Sequence, residues 1–216
     1  AKYGYRVVGV SGKCCAGKDA VTGWLTDHGW REVNVDRIGH EALAARRREI
    51  VAAFGTEILH GTAGIDRGIL RERVFRDREQ LHRLEAIVHP WMRSRVGEEV
   101  ASFRETGAVR TDAATDHVND IPARGLVINA ALLFPMELDR FCDAVILVRA
   151  PLLQRIKRAR ARDRLSLVQI VRRLWAQRRL DAQAFRSPAE TIIVENGSSR
   201  DALFQRLEKI PELRDG

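Results

Sequence analysis

Val7-Val8-Gly9-Val10-Ser11-Gly12-Lys13-Cys14-Cys15-Ala16-Gly17-Lys18-Asp19-Ala20 is the stretch that decides the fold. A short β-branched run leads into Gly12, four variable residues follow, and Gly17-Lys18 opens a helix-like segment to about His28. The order is strand, loop, helix, and the loop reads G-x-x-x-x-G-K. Gly12 and Gly17 permit a tight turn in which successive N–H groups point inward at phosphate oxygens. The helix beginning near Gly17 adds its partial positive end. Lys18 supplies a mobile charge for the β and γ phosphates of a nucleotide. The next position usually holds a Ser or Thr whose hydroxyl reaches Mg²⁺; here it is Asp19. A carboxylate is a hard-oxygen ligand and makes Asp19 the candidate for the ion. Gly12, Lys13, Cys14, Cys15, Ala16, Gly17, Lys18, Asp19 and Ala20 form the candidate ATP-binding loop.

A chain of 216 residues fits one domain with room for an inserted subdomain, and buries a proper core. The net charge of +8 suits polyanionic ligands such as nucleotides, nucleic acid or an anionic membrane. Its basic residues concentrate between Arg155 and Arg179. Cys14, Cys15 and Cys142 form no disulfide framework or metal-ligand spacing, and sequence neighbours rarely bridge. A reducing cytoplasm is the expected compartment. Neither a leader-type apolar segment nor a membrane-spanning run is expected, and no repeat or low-complexity tract is visible.

Beyond the loop, Lys18–His28 reads as a helix with Val21, Trp24 and Leu25 on one apolar face. Glu32–Val35 reads as a second strand with Asp36 at its C-terminal end, the edge where open α/β sheets bind ligands. Residues 37–106 read as mostly helical, with Asp77 as an N-cap and His89-Pro90 as an interruption. Gly107–Arg124 reads as a surface loop. Strands are expected at Gly125–Asn129, Ala144–Val148 and Thr191–Val194. Pro151 opens a basic helix, Ser166 caps another to about Ala182, and Asp201–Lys209 is the last helix. The alternation predicts an α/β fold: a five-stranded parallel sheet with helices on both faces. Residues 1–216 are then one domain, with a helical insertion at 37–106 and basic lid helices at 151–182.

Several side chains are placed for chemistry. Asp36 is a candidate base for an attacking hydroxyl, and equally a helix N-cap. Arg158 and Arg162 lie four apart, on one helix face, where two guanidinium groups clamp a transferring phosphoryl group or form a solvated basic face. Asn129 ends the third strand, where an acidic residue often holds Mg²⁺ through water. Asn196-Gly197 is a turn that in this architecture borders an adenine.

These motifs resemble the dephospho-CoA kinases nearly end to end. Val10 to Asp19 is similar to the family's P-loop, and Asn34-Val35-Asp36-Arg37-Ile38-Gly39-His40-Glu41 to its D-A-D-x-I-A-H-E stretch. Leu84-Glu85-Ala86-Ile87-Val88-His89-Pro90 and Asn129-Ala130-Ala131-Leu132-Leu133-Phe134-Pro135 match two further motifs. Pro151, Gln154, Arg158, Arg162-Asp163 and Ser166 match the lid, and Gln177 and Asn196-Gly197-Ser198 the late signals. The resemblance implies a P-loop kinase that uses Mg²⁺ and ATP to phosphorylate the ribose 3′-hydroxyl of dephospho-CoA, the last step of coenzyme A synthesis. It implies Asp36 as base, Lys18 as phosphate ligand, Arg158 and Arg162 as lid arginines, Asn196 beside ATP, and Asp36 with His89 at the acceptor. Asp19 replaces Ser or Thr, and Asn34 and Asn129 each replace an Asp, a pattern expected to re-site the metal on Asp19. The rival readings are a kinase of another nucleoside or nucleotide on the same scaffold, and a non-catalytic nucleotide or nucleic-acid binder. The resemblance favours a small-molecule acceptor over nucleic acid or membrane.

Overall fold

The computed structural model describes residues 6–60, 64–106, 123–163 and 180–213. Five strands form one sheet in the order β2-β3-β1-β4-β5. They are β1 (Val7–Gly12), β2 (Trp30–Asn34), β3 (Gly125–Asn129), β4 (Ala144–Arg149) and β5 (Glu190–Glu195). β1 runs parallel to β3, with Val10 opposite Asn129, and parallel to β4, with Gly12 opposite Val148. β4 runs parallel to β5, with Arg149 opposite Glu195. The expected five-stranded α/β sheet is therefore present.

Burial on both faces explains why the central strands are near-continuous apolar runs. Alternate residues divide between the faces. Val8, Val10, Val127, Ile146 and Val148 share a core with Val21, Trp24 and Leu25 of α1 (Lys18–Asp27). Leu203 and Leu207, from the last helix of the chain (Arg200–Glu208), complete that core. On the opposite face Gly9 leaves room for Leu133 and Cys142, since a Cβ there would stand 2.9 Å from both side chains.

The chain divides into two compact units, 1–33 with 99–216, and 34–98. The second holds α2 (Val35–Ala45), α3 (Arg47–Phe54) and α4 (Arg67–Arg76). Val35, Ile38, Ala42, Ile50, Phe54, Ile58, Leu70 and Val74 are its buried apolar residues from these elements and the turn between α3 and α4. Asp66 caps α4 by accepting from Gly68 N at 2.8 Å and Ile69 N at 3.0 Å. Asp77 accepts from Glu79 N at 2.8 Å, as its expected cap role requires.

Two expectations are corrected. The helix does not break at His89-Pro90: α5 runs from Arg78 to Thr106 with Pro90 inside it. Proline forfeits one backbone hydrogen bond and costs roughly 3 kcal/mol inside a helix. Val88, Met92, Val96, Val100 and Phe103 continue one buried stripe on both sides of it, and each such side chain contributes roughly 1.5–3 kcal/mol. The second strand ends earlier than expected, at Asn34, and α2 begins at Val35. Asn34 is its N-cap, its Oδ1 accepting from Arg37 N at 3.0 Å. Asp36 therefore lies in the first turn and is not the cap.

The remaining α-helices among the described residues are α6 (Leu152–Asp163), α7 (Leu180–Ala184) and α8 (Arg200–Glu208). Residues 107–122 of the expected surface loop lie outside the described residues, as do Ser166 and Gln177. Among the described residues, no helix is long and apolar enough to cross a membrane.

Leu133 is fully buried against the Gly9 face of the central strand. Leu133→Ala is expected to lower the unfolding free energy by roughly 2–5 kcal/mol, read from the midpoint and slope of urea denaturation.

Candidate active site

The loop between β1 and α1 is built on two glycines with different reasons. Gly17 precedes α1 at φ 105°, in the left-handed region. Gly12 is needed for close approach, because a Cβ there would stand 2.6 Å from the Val148 carbonyl oxygen. No side chain caps the N-terminus of α1. A helix start without a side-chain cap is the arrangement that makes helix N-termini phosphate sites.

A loop that turns its amides inward turns carbonyls outward, and these need donors. Three side chains supply them. Arg155 Nε donates to Cys14 O at 2.9 Å. Arg158 donates to Cys15 O at 3.5 Å and Ala16 O at 3.3 Å. Asn196 Nδ2 donates to Ala16 O at 2.8 Å. The donors also bind one another: Arg158 reaches the Asn196 carbonyl and Oδ1, and Gln154 Oε1, each at 3.3 Å. Gln154 in turn donates to the Gly197 carbonyl. Arg155 and Asn196 are more than nine-tenths buried, so these bonds are shielded from competing water.

The structure thus brings the loop, Arg158 and Asn196 together, but by contacts the sequence did not indicate. Arg158 lies against loop carbonyls, and the Asn196 side chain faces Ala16 and Arg158. Arg155, which holds the loop, and Gln154, which holds Arg158 and the Gly197 carbonyl, were not among the predicted site residues. Their signal was present: 154, 155 and 158 fall on one side of a helix. What is described of Arg162 is its backbone, in the last turn of α6. A cleft of about 260 Å³ beside the loop is lined by Lys13, Val148, Arg149, Pro151, Arg155 and Glu195.

Asp19 is exposed in the first turn of α1, directly after Lys18. Asn34, which stands where the family has Asp, accepts from Arg37 N through its side-chain oxygen at the α2 cap. Asn129 donates to Glu32 Oε1 at 2.9 Å, a carboxylate that sequence reading passed over. No group of three acidic, His or Cys side chains arranged for a metal occurs among the described residues. A single carboxylate beside a phosphate cradle nonetheless fits Mg²⁺, which is commonly held by one or two carboxylates together with substrate phosphates and water.

In the other unit, Asp36 is exposed in the first turn of α2, and its carboxylate is not spent on capping. His89 is half-buried in α5; burial, reinforced by Arg93 and opposed by Glu85, holds its pKa below the usual imidazole value. The uncharged ring is therefore favoured near neutral pH.

A family model described as dephospho-CoA kinase matches residues 6–201. A dephospho-CoA kinase of Moorella thermoacetica is 34% identical over 199 residues, covering 91% of this chain and 86% of that protein. One of Borreliella burgdorferi is 33% identical over 145 residues, covering 67% of this chain and 62% of that protein, under two thirds of its length. The crystal structure of TT1252 from Thermus thermophilus superposes with a TM-score of 0.73 at 26% identity, covering 97% of both chains.

Removing the Asn196 side chain leaves the Ala16 carbonyl and Arg158 each short of a partner. Asn196→Ala is expected to cost roughly 1–3 kcal/mol of stability, with ATP affinity weakened about tenfold, a loss of about 1.4 kcal/mol in binding. Denaturant unfolding and calorimetric ATP titration check the two effects; unchanged ATP affinity would remove the holding role.

Proposed function

The chain belongs to the dephospho-CoA kinase family and is a nucleotide-binding kinase of the P-loop type; we propose that it transfers the γ-phosphoryl group of ATP to the ribose 3′-hydroxyl of dephospho-CoA, giving CoA and ADP. The observation that carries this reading is the phosphate loop itself: an uncapped helix start behind Gly17, with Lys18 at its first position and its outward carbonyls held by Arg155, Arg158 and Asn196. Such a loop binds phosphate without having to reorganise, which is how a phosphoryl-transfer site lowers its barrier.

The roles divide by chemistry. Loop amides and Lys18 hold the β and γ phosphates. Asp19 would hold Mg²⁺, which supplies charge neutralisation across the phosphate oxygens. Asp36 accepts the proton of the acceptor hydroxyl as its oxygen attacks phosphorus. Support for the base role comes from its position two residues beyond the end of β2, in a sheet whose strand ends favour ligands, and from Asn34 having taken the cap. Arg158 holds the loop in its binding shape. Arg162, one turn further along α6, is the arginine for the transferring group. His89, largely uncharged, contacts the acceptor. The acceptor is bound by residues 37–106, and 151–182 act as the lid.

An acceptor screen by ADP release tests the reading. Mg²⁺-dependent turnover is expected with dephospho-CoA and little with nucleosides or nucleoside monophosphates. Preference for one of those would assign another kinase activity, and ATP binding without turnover on any acceptor would make the chain a binding protein.

Asp36→Asn keeps the size and removes the basic oxygen. Its kcat is expected to fall by about 10²–10⁴-fold, the usual worth of a general base, with ATP affinity kept. Near-normal turnover would take the base assignment away from Asp36.

A further inference from the structure

Cys14 and Cys15 occupy the two central positions of a four-residue turn inside the phosphate loop. Ala16 N donates to Lys13 O at 2.9 Å and closes the turn around them. Cys15 lies at φ 58°, in the left-handed region that such a turn ordinarily gives to Gly or Asn. The two Sγ atoms face each other at 3.7 Å, and both residues are partly exposed. Adjacent cysteines elsewhere on a chain commonly point apart; here the turn brings the thiols together.

We propose that Cys14 and Cys15 are an oxidation site: a vicinal dithiol that a low-molecular-weight disulfide converts to a Cys14–Cys15 disulfide, weakening nucleotide binding reversibly. The proposal rests on the reading that this loop binds ATP.

The chemistry is two thiol–disulfide exchanges. One cysteine thiolate attacks a sulfur of the small disulfide; that S–S bond breaks, one small thiolate leaves, and a mixed disulfide remains on the protein. The second cysteine thiolate attacks the protein sulfur of the mixed disulfide, and the second small thiolate leaves. The protons lost by the cysteines are taken up by the two departing thiolates. The dithiol is oxidised by two electrons, and the small disulfide is reduced to two thiols.

Closure and phosphate binding compete for one peptide unit. Cα atoms of neighbouring residues are about 3.8 Å apart, short of the roughly 4.4–6.8 Å that disulfides usually span. The ring therefore twists the peptide between Cys14 and Cys15. That peptide carries the Cys14 carbonyl held by Arg155 and the Cys15 N–H of the loop. The next carbonyl, of Cys15, is held by Arg158. Twisting it pulls carbonyls off their arginines and re-aims an amide that a phosphate oxygen would use. Bound ATP, in turn, holds the open shape and opposes closure.

Cys142 serves as an internal contrast. It is buried behind the central strand, and its thiol donates to the Leu138 carbonyl at 3.5 Å. Burial, with Asp139 and Asp143 nearby, pushes that thiol far above the usual range, so it supplies no thiolate.

The test incubates the full chain with oxidised glutathione and follows intact mass, peptide mapping and ATP affinity. The expected product has lost two hydrogens, both mapped to the peptide containing Cys14 and Cys15. Its Kd for ATP is weaker by about tenfold or more, the worth of at least one hydrogen bond to a charged phosphate oxygen. Dithiothreitol restores the original affinity, and saturating ATP slows the mass change. Cys142→Ser closes in the same way, whereas Cys15→Ser stops at a glutathione adduct on Cys14. A stable glutathione adduct on the unaltered chain, oxidation at Cys142, or closure with unchanged ATP affinity would each overturn the proposal. Reduced protein that binds no ATP sinks the nucleotide reading instead, and the mass measurement then still decides whether the dithiol closes.

Discussion

Everything at the nucleotide end of this structure follows from one backbone constraint. A loop that aims its N–H groups at a phosphate must aim carbonyls the other way, and a carbonyl turned into the protein has to find a donor. Arg155, Arg158 and Asn196 are those donors for Cys14, Cys15 and Ala16. They arrive from different parts of the chain: two from α6, one from the turn after β5. The sheet order makes this possible, because β4 and β5 are neighbours beside β1 and deliver both segments to the same side of the loop. The close contact between Gly12 and the Val148 carbonyl belongs to the same requirement.

Basic residues in α6 thus have more than one use. A helix carrying Arg155, Lys157, Arg158, Arg160 and Arg162 looks from outside like a cationic surface for a polyanion. Arg155 is instead buried on the loop, and Arg158 is divided between loop, Gln154 and Asn196. The guanidinium group suits this work because it stays charged and donates in several directions at once. The positive charge of these two groups still favours a nearby polyanion through space. Arg155 Nε and the Arg158 guanidinium, however, donate to the protein.

Asparagine is used three ways, each set by context. Asn34 caps α2, Asn129 donates to Glu32, and Asn196 ties the last strand's turn to the phosphate loop. The structure shows Asn34 employing its amide oxygen, and Asn129 its amide nitrogen, in protein contacts. Asp19 is left as the loop's own carboxylate, next to Lys18, where one acidic oxygen and the substrate phosphates are a sufficient set for Mg²⁺. The paired cysteines follow the same logic. Their spacing in sequence says nothing of their thiols, and a turn with Cys15 in the left-handed region sets the sulfurs face to face.

By itself the sequence determined the strand–loop–helix with its lysine, the alternation that yields a five-stranded parallel sheet, and the family. These are carried by local patterns: β-branched runs for strands buried on both faces, helical spacing at Val21, Trp24 and Leu25, and glycines at fixed intervals. Caps and the proline were less legible, because they turn on competition between near-equal terms. Asn34 outbid Asp36 for the cap, and a continuous apolar stripe from Val88 to Phe103 outweighed the one bond lost at Pro90. Tertiary structure alone decided which side of the loop Arg155, Arg158 and Asn196 would serve, since their loop partners are 141 to 180 residues away in sequence. A periodic pattern reports which face of an element is buried. The donor that will meet a given carbonyl is known only when the sheet has brought distant segments together.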